Sequence, residues 1–391
     1  MTNALSSKLG RLQLTGLVLG AIGLVVAIIM AFVSGGEHFF QSYLYAFLFW
    51  TGLALGCLLL LFVQHMAGGS WGAMIRRPLE AGAMVIPVMA LLFIPILFGM
   101  GSLYGAWLHP ENELVQAKVG FLNQSFFIIR SIIYFAIWTF GAWYFFNASG
   151  KQDKVSAHEG GRIGFSLKRT ATFWIVIYIL TMTFAGIDWA MSLTPEFFSG
   201  MYSVILMIGQ AISATSLMIL IMVFIANNDK EIDELLNSKR LQDLGNFLMA
   251  FTLFWAYTSF SQIIIIWSNN VIETNPYYVL RFNQAWQGVG YFLLLFGFFA
   301  PFVILFSRWV KRKRRALVLV AIWAVLVRLV DLFYIIIPNF HREGFPLGLS
   351  DVALVVGIGG IWIAAFSFWL KSRPLLPKND PRLAHAGAHH G

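Results

Sequence analysis

Charged residues are scarce in this sequence. Only 12% of its 391 residues are Asp, Glu, Lys or Arg, 59% are hydrophobic, and the mean hydropathy is +0.74. Soluble domains carry about 25% charged residues, so this composition excludes an ordinary soluble protein and predicts a polytopic membrane protein. The hydrophilic segments between the apolar runs are too short for a separate soluble catalytic domain.

Cysteine, nucleotide-binding motifs and intramembrane histidines are also missing or nearly so. The single cysteine, Cys57, cannot by itself hold an iron–sulfur cluster or a thiolate zinc site. Neither a GxxxxGK[ST] loop nor a GxGxxG fingerprint occurs. Haem within a membrane needs pairs of histidines, but only His65 touches an apolar run. We therefore expect no cofactor bound by this chain, and interpret the HAGAHHG tail as solvated.

Ten apolar runs, each near the roughly 20 residues that a bilayer requires, predict an all-α integral membrane fold. The first run is too long for the apolar part of a signal peptide, and no A-x-A cleavage site follows it. The approximate limits are 12–33, 43–66, 79–102, 122–146, 171–194, 201–226, 245–268, 284–307, 316–337 and 351–370.

Lysine and arginine are distributed unequally between the two sets of loops. With a cytoplasmic N-terminus, 22 of the 27 basic residues lie on the inside and three lie outside: Lys118, Arg281 and Arg342. The positive-inside rule then predicts that both termini are cytoplasmic. The same distribution explains the net charge of +9. The basic run RWVKRKRR is interpreted as a helix-end anchor for anionic lipid, and no nucleic-acid partner is expected.

Several short motifs occur twice in the same order. Asp-x6-Pro-x-Phe occurs at 188–197 and again at 331–340, RPLEAG (77–82) corresponds to RLQDLG (240–245), and Asn-Gln occurs at 123–124 and 283–284. The order predicts two parallel copies of a four-helix unit. The predicted units are a first helix (1–42), a bundle of helices 2–5 (43–200), a bundle of helices 6–9 (201–340), and a last helix with its tail (341–391).

Some of these repeated residues have a structural explanation. Glu80 and Asp243 fall in the first turn of predicted helices, where the helix dipole favours an anion. Pro195 and Pro338 are expected to end their helices. The aspartates of the repeated motif have no such explanation.

Four charged residues lie well inside the predicted spans: Arg130, Asp188, Arg328 and Asp331. Each costs about 2.5–3.5 kcal/mol at a helix centre and therefore requires a partner or water. At 1.5 Å per residue, Arg130 and Asp188 reach similar depths and are expected to pair. Arg328 and Asp331 are neighbours at i, i+3 on one helix.

These charges have two interpretations. One is a pair of structural salt bridges, and the other is a site that handles protons, because water or a small helix movement can shift the balance of a buried ion pair. His65 is interpreted either as an interfacial polar residue or as a group for proton entry. The wider set of candidates for a proton path is Asn123, Tyr134, Tyr257, Ser259, Gln262, His65, Glu80 and Asp243.

Three segments together resemble a known family: SWGAMIRRPLEA (70–81), IDWAMSLTPEFFSGMY (187–202) and FWAYTSFSQIIIIWSNNVIE (254–273). They are similar to the NrfD-like membrane subunits of the polysulfide-reductase family, and more closely to those of alternative complex III. The resemblance covers nearly the whole chain. The architecture that it implies, two four-helix bundles flanked by single helices, agrees with the repeat.

The resemblance implies a role in a respiratory complex that oxidises a menaquinol-type quinol. Its implied partners are a homologous quinol-binding membrane subunit, an iron–sulfur subunit, c-type cytochrome subunits and small membrane subunits. Electrons would pass through their iron–sulfur clusters and c-type haems to cytochrome c, or directly to a terminal oxidase. The role implied for this chain is proton translocation or conformational coupling.

Three other functions remain open. The chain itself would bind quinol if a pocket exists near Arg130, Tyr134 and Asp188. A stand-alone secondary transporter also fits a repeat with midmembrane charges, although helix 3 contains Pro87 and Pro95 whereas helix 7 contains no proline. A purely structural scaffold is the fourth function considered.

Overall fold

The computed structural model describes residues 3–34, 36–269, 275–377 and 380. Throughout these residues the regular elements are helical, and ten helical segments are long and apolar enough to cross a membrane. The predicted all-α, multi-pass fold with ten spans is therefore confirmed. The HAGAHHG tail and residues 270–273 of the seventh-helix motif lie outside the described residues.

The ten segments are named α1 to α10 in chain order. Several begin well before the predicted limits, because the helices continue through polar residues beyond the apolar run. Shorter helices outside the ten segments are Met100–Leu108, Glu113–Gln116, Lys230–Leu235, Asn275–Arg281 and Arg308–Arg312. The segments are Asn3–Val33, Gly36–Ala67, Ser70–Phe98, Gln124–Gln152, Ala157–Leu193, Tyr202–Ala226, Ser238–Asn269, Gln284–Phe306, Arg314–Asn339 and Leu349–Lys371.

Glu80 and Asp243 do not lie in first helical turns, so that prediction was wrong. The helix that contains Glu80 begins at Ser70, and α7 begins at Ser238. Both helices begin with polar turns that precede the apolar runs from which their limits are predicted. Glu80 instead accepts hydrogen bonds from Arg76 Nε at 3.1 Å and Arg77 Nη1 at 2.8 Å.

Local sequence signals mark the ends of three segments. Asn123 and Asn283 cap α4 and α8, because their side chains accept hydrogen bonds from the amides of Phe126 and Trp286 at 3.0 and 3.1 Å. Regular α-helix ends at Trp189 in α5 and at Ile336 in α9, each followed by a 3₁₀ turn. Pro338 lies in the turn that directly follows its helix, as predicted, whereas the α-helix of α5 ends well before Pro195.

Two segments are irregular. The α3 segment is divided into the helices Ser70–Ala83, Ile86–Leu92 and Ile94–Phe98, and a proline stands near the start of each later piece. The α8 segment contains a π-helical stretch, Leu293–Phe299. Extra-wide turns of this kind often occur at functional sites.

The α2 and α6 helices form the centre of the protein. In each, 78% of the apolar window is buried, and the two helices pack against each other. The α6 helix also contacts α5, α7 and α9, whereas α1 packs along α10 at the edge. The division into two four-helix units remains a prediction.

Small residues allow α1 and α10 to approach closely. Gly16, Gly20 and Gly23 of α1 face Gly357 and Gly360 of α10. A methyl group at Gly23 would lie 2.6 Å from the carbonyl oxygen of Ala353, which is far inside van der Waals contact. Close backbone approach of this kind drives helix association in lipid.

We expect Gly23→Leu to separate α1 from α10, because the added side chain overlaps the α10 backbone. Overpacking of this kind costs about 1–3 kcal/mol and should lower the unfolding midpoint in detergent. Gly10→Leu on the same helix is the control, since no atom lies within 4 Å of a methyl group built there. Equal midpoints for the two variants would contradict the close approach of α1 and α10.

Candidate functional site

The carboxylate of Asp188 is fully bonded at the end of α5. Asp188 is 0% exposed. Arg130 of α4 makes a bidentate contact with it, donating hydrogen bonds from Nε to Oδ2 at 2.8 Å and from Nη2 to Oδ1 at 2.7 Å. Tyr134 Oη donates to Oδ2 at 2.8 Å. The predicted Arg130–Asp188 pair is present, and charge-assisted bonds of this geometry are among the strongest in proteins.

Aromatic side chains pack against this pair, although the Arg130 side chain is 14% exposed. The Arg130 guanidinium lies 3.9 Å from the centroid of the Phe121 ring, and its Nη2 donates to the Phe121 carbonyl at 3.0 Å. Trp189 Nε1 donates to Ser131 Oγ at 3.0 Å, and Tyr104 Oη donates to the Trp189 carbonyl at 3.0 Å. The cluster around Asp188 is therefore tightly packed and internally bonded.

The second pair lies within one helix. Arg328 and Asp331 are one turn apart on α9, in direct contact and both buried. Gly209 of α6 faces the Arg328 guanidinium, and any side chain there would overlap it. Among the described residues, Arg328 Nε has no hydrogen-bond partner. This pair is less completely bonded than the pair at Asp188.

Three cavities adjoin the second pair. A cavity of about 30 Å³ is lined by Arg328, Gln210, Ser213 and Trp189, the residue that follows Asp188. A cavity of about 20 Å³ is lined by Arg328, Asp331 and Thr252. A third, of about 300 Å³, is lined by Asp331 and residues of α7, α8 and the helix Asn275–Arg281. Each small cavity has room for about one water molecule.

Two of the predicted polar residues join Asp331 at the large cavity. Ser259 and Gln262 both lie in its wall. The Gln262 amide accepts from Ser199 Oγ at 2.7 Å and donates to Tyr278 Oη at 3.0 Å. The structure thereby places polar side chains of α7 and α9 in the wall of the same 300 Å³ cavity.

Other predicted residues lie elsewhere. The side chain of Asn123 serves as the α4 cap and donates to the Val119 carbonyl at 3.0 Å. Tyr257 is 65% exposed on the outer face of α7. His65 is buried in the last turn of α2, with its ring centroid 5.3 Å from that of Phe145. Asp243 is half-buried in α7.

A charged cluster on α3 was missed because Arg76 and Arg77 were counted as loop residues. Both are buried, and both bind Glu80. The spacing of Arg76 and Glu80 at i, i+4 was a usable signal. Their further partners come from the end of α4, the following residue and the C-terminal segment: Ser149, Gln152, Asp153 and Asp380.

Arg281 was also missed, since the sequence placed it in an exposed outer loop. It ends the short helix Asn275–Arg281 and is only 1% exposed. Its guanidinium stacks 3.4 Å from the Tyr277 ring centroid and donates to the carbonyls of Tyr277 and Ile335 at 2.8 and 2.7 Å.

In the described part of the chain, no group of three or more His, Cys, Asp or Glu side chains is arranged to hold a metal ion.

No protein-family model matches the chain, and no curated protein is significantly similar to it. The family resemblance therefore rests on the sequence motifs.

We expect Tyr134→Phe to lower the free energy of unfolding by about 1–3 kcal/mol, because it removes a hydrogen bond to a buried carboxylate. Thermal unfolding in detergent measures the change. Tyr144→Phe, ten residues further along α4, is the matched control. A Tyr134→Phe protein as stable as this control would contradict the bond to Asp188.

A histidine cluster at the junction of α2 and α10 predicts a pH dependence. His341 Nε2 lies 2.8 Å from Gln41 Oε1, its ring centroid is 5.7 Å from that of His38, and His38 Nε2 lies 3.6 Å from Asp351 Oδ2. Partial burial, with the nearby His38, lowers the pKa of His341 below its ordinary value, although Asp351 opposes this shift.

A lowered folded-state pKa means that the unfolded chain binds more protons as the pH falls through about 6.5. The stability contributed by neutral His341 is therefore present above that pH and is lost as the pH falls toward the lowered value. We expect the thermal unfolding midpoint to decrease as the pH is lowered from about 6.5 toward the pKa of His341 in the folded protein. His341→Gln should make the midpoint less dependent on pH in this range. An unchanged pH profile in His341→Gln would contradict this assignment.

Proposed function

We propose that this chain is a membrane subunit, without metal cofactors of its own, of a respiratory quinol-oxidising complex, and that it supports proton movement by transfer or conformational coupling. The single observation that supports the proton role best is the position of Arg328 and Asp331. The pair adjoins three cavities, one of which is also lined by Trp189 beside Asp188.

The two ion pairs are suited to different tasks. Asp188 accepts three side-chain hydrogen bonds and is 0% exposed, which favours a fixed structural and electrostatic role. Asp331 lies at a cavity wall, and its partner Arg328 retains an unbonded Nε. A buried acid whose counter-ion is incompletely bonded can exchange a proton when water enters or the pair separates. We propose Asp331 as the exchanging group.

The setting of this function rests on the family resemblance. We propose a bacterial inner membrane with both termini cytoplasmic, a menaquinol-type substrate, and electron transfer through iron–sulfur clusters and c-type haems of partner subunits. The partners proposed are a homologous quinol-binding subunit, an iron–sulfur subunit, c-type cytochromes and small membrane subunits, with cytochrome c or a terminal oxidase as acceptor.

The other functions receive less support. Direct quinol binding at Arg130, Tyr134 and Asp188 would require displacement of a packed cluster in which Asp188 is 0% and Tyr134 is 4% exposed. A stand-alone transporter would be expected to interrupt equivalent helices. Here α3 is interrupted, whereas its predicted counterpart α7 is a continuous helix, Ser238–Asn269.

The proton role is tested by Asp331→Asn in proteoliposomes that contain the assembled complex. We expect quinol oxidation to continue with fewer protons moved per electron, because the amide cannot exchange a proton in the same way. Asp188→Asn is also expected to lower the number of protons moved per electron, because it removes a negative charge close to the proposed proton path. Asp233→Asn, on the connecting helix Lys230–Leu235, is the control.

A second variant separates proton exchange from structural pairing. Asp331→Asn alone leaves Arg328 buried without its carboxylate, which is itself destabilising. The double variant Arg328→Gln/Asp331→Asn removes both charges, so a purely structural role predicts recovery of the proton ratio. A normal ratio in both variants would overturn the proton role. Purification without haem or iron–sulfur spectra would overturn the respiratory setting.

A further inference from the structure

Among the described residues, Arg281 is a buried cation without a carboxylate partner. Its hydrogen bonds go to neutral oxygens: the carbonyls of Tyr277 and Ile335, and Asn339 Oδ1 at 3.4 Å. Among the described residues, its Nε–H has no hydrogen-bond partner although the atom is buried. A buried charge is costly unless it is paired, so this guanidinium would be stabilised by an anion.

The same guanidinium lies in the wall of the 300 Å³ cavity. This volume is at the lower end of the range, about 300–1,000 Å³, that is typical of small-molecule sites. Most of the wall is aromatic or aliphatic, including Phe260, Leu294 and Phe298. Asp331 also lies in the wall but is paired with Arg328, so Arg281 is the charged residue of this wall that has no oppositely charged partner among the described residues.

The cavity borders the surface that would face lipid. Three residues of its wall are more than half exposed: Phe260 at 63%, Phe282 at 54% and Tyr291 at 57%. The π-helical stretch Leu293–Phe299 contributes Leu293, Leu294 and Phe298 to the wall. A hydrocarbon chain can therefore reach the cavity sideways, between α7 and α8.

The polar end of the cavity lies at the depth expected of a lipid headgroup. Arg281 lies in the connection between the end of α7 and the start of α8. Tyr277 and Tyr278 stand in the same short helix, and Tyr334 Oη donates to the Arg281 carbonyl at 3.1 Å. Tyrosines concentrate at the membrane–water interface, and the apolar part of the cavity extends from there along the helices.

We infer that this cavity binds an acyl chain that carries an anionic group, with the anion at Arg281 Nε and the hydrocarbon against Leu294 and Phe298. The shared chemistry is that of an anionic phospholipid or a fatty acid. The site is additional to the proposed proton role and does not depend on it, because it rests on Arg281 and the cavity alone.

The binding experiment uses the purified complex after removal of bound lipid. It is then exposed separately to phosphatidylglycerol, to a fatty acid, to phosphatidylcholine and to a neutral naphthoquinone with a decyl tail. Native mass spectrometry measures how many molecules of each remain bound. We expect phosphatidylglycerol or the fatty acid to be retained, and the mass identifies which one.

Two variants with matched controls locate the site. Arg281→Gln removes the charge and should weaken retention about tenfold, as expected for loss of one charge-assisted contact. Ser259→Phe fills the cavity from α7 while Arg281 is kept, so the test remains valid if Arg281→Gln fails to fold. The controls are Arg342→Gln in an exposed loop and Ser261→Phe, whose residue is absent from the cavity wall.

The inference is supported if both site variants reduce retention of the anionic molecule and both controls do not. It is overturned if phosphatidylcholine or the neutral quinone is retained as well as the anionic probes. It is also overturned if Ser259→Phe binds like Ser261→Phe. Because no electron or proton transfer is measured, these outcomes are independent of the test of the proposed function.

Discussion

Compensation of buried charge is the constraint on which the rest of this structure depends. A charge within a membrane-spanning helix has no water to solvate it and must be satisfied by other protein groups. Arg130 and Asp188 meet this requirement by pairing across two helices, and Tyr134 donates a further hydrogen bond to the carboxylate. Packing of α4 on α5 is therefore coupled to an ion pair, and the aromatic side chains around it exclude other partners for the same charges.

The second pair meets the same requirement with less packing around it. Arg328 and Asp331 lie on one helix, so their contact fixes no neighbouring helix, and space remains on three sides of them. Gly209 makes room for the guanidinium from α6. A salt bridge that adjoins water-sized cavities is better suited to proton exchange than one whose carboxylate is fully buried and accepts three hydrogen bonds. This difference underlies the separate roles proposed for Asp188 and Asp331.

Charge compensation also explains the residues at the two ends of the spans. At one end, Arg76 and Arg77 share Glu80 and tie α3 to Asp153 and, through Asp380, to the C-terminal segment. At the other end, the hydrogen-bond acceptors of Arg281 among the described residues are neutral oxygens, and its side chain borders a cavity. Carboxylates of the chain therefore compensate the charges of Arg76 and Arg77, whereas the charge of Arg281 has no carboxylate in the part of the chain that the structure describes.

The sequence by itself determined the features that depend on local chemistry. Apolar run length gave ten spans, Asn123 and Asn283 marked helix starts, Pro338 marked a helix end, and matching depths paired Arg130 with Asp188. Only the tertiary structure decided which polar residues are buried, because burial depends on segments that are distant in sequence. From the sequence, Arg281 is expected in an outer loop, but it is buried because α9 packs against its helix. Tyr257 is expected to contribute to a proton path, but the fold leaves it exposed. The cavity between α7 and α8 has no sequence signal, since it is formed by the space that several helices leave unfilled.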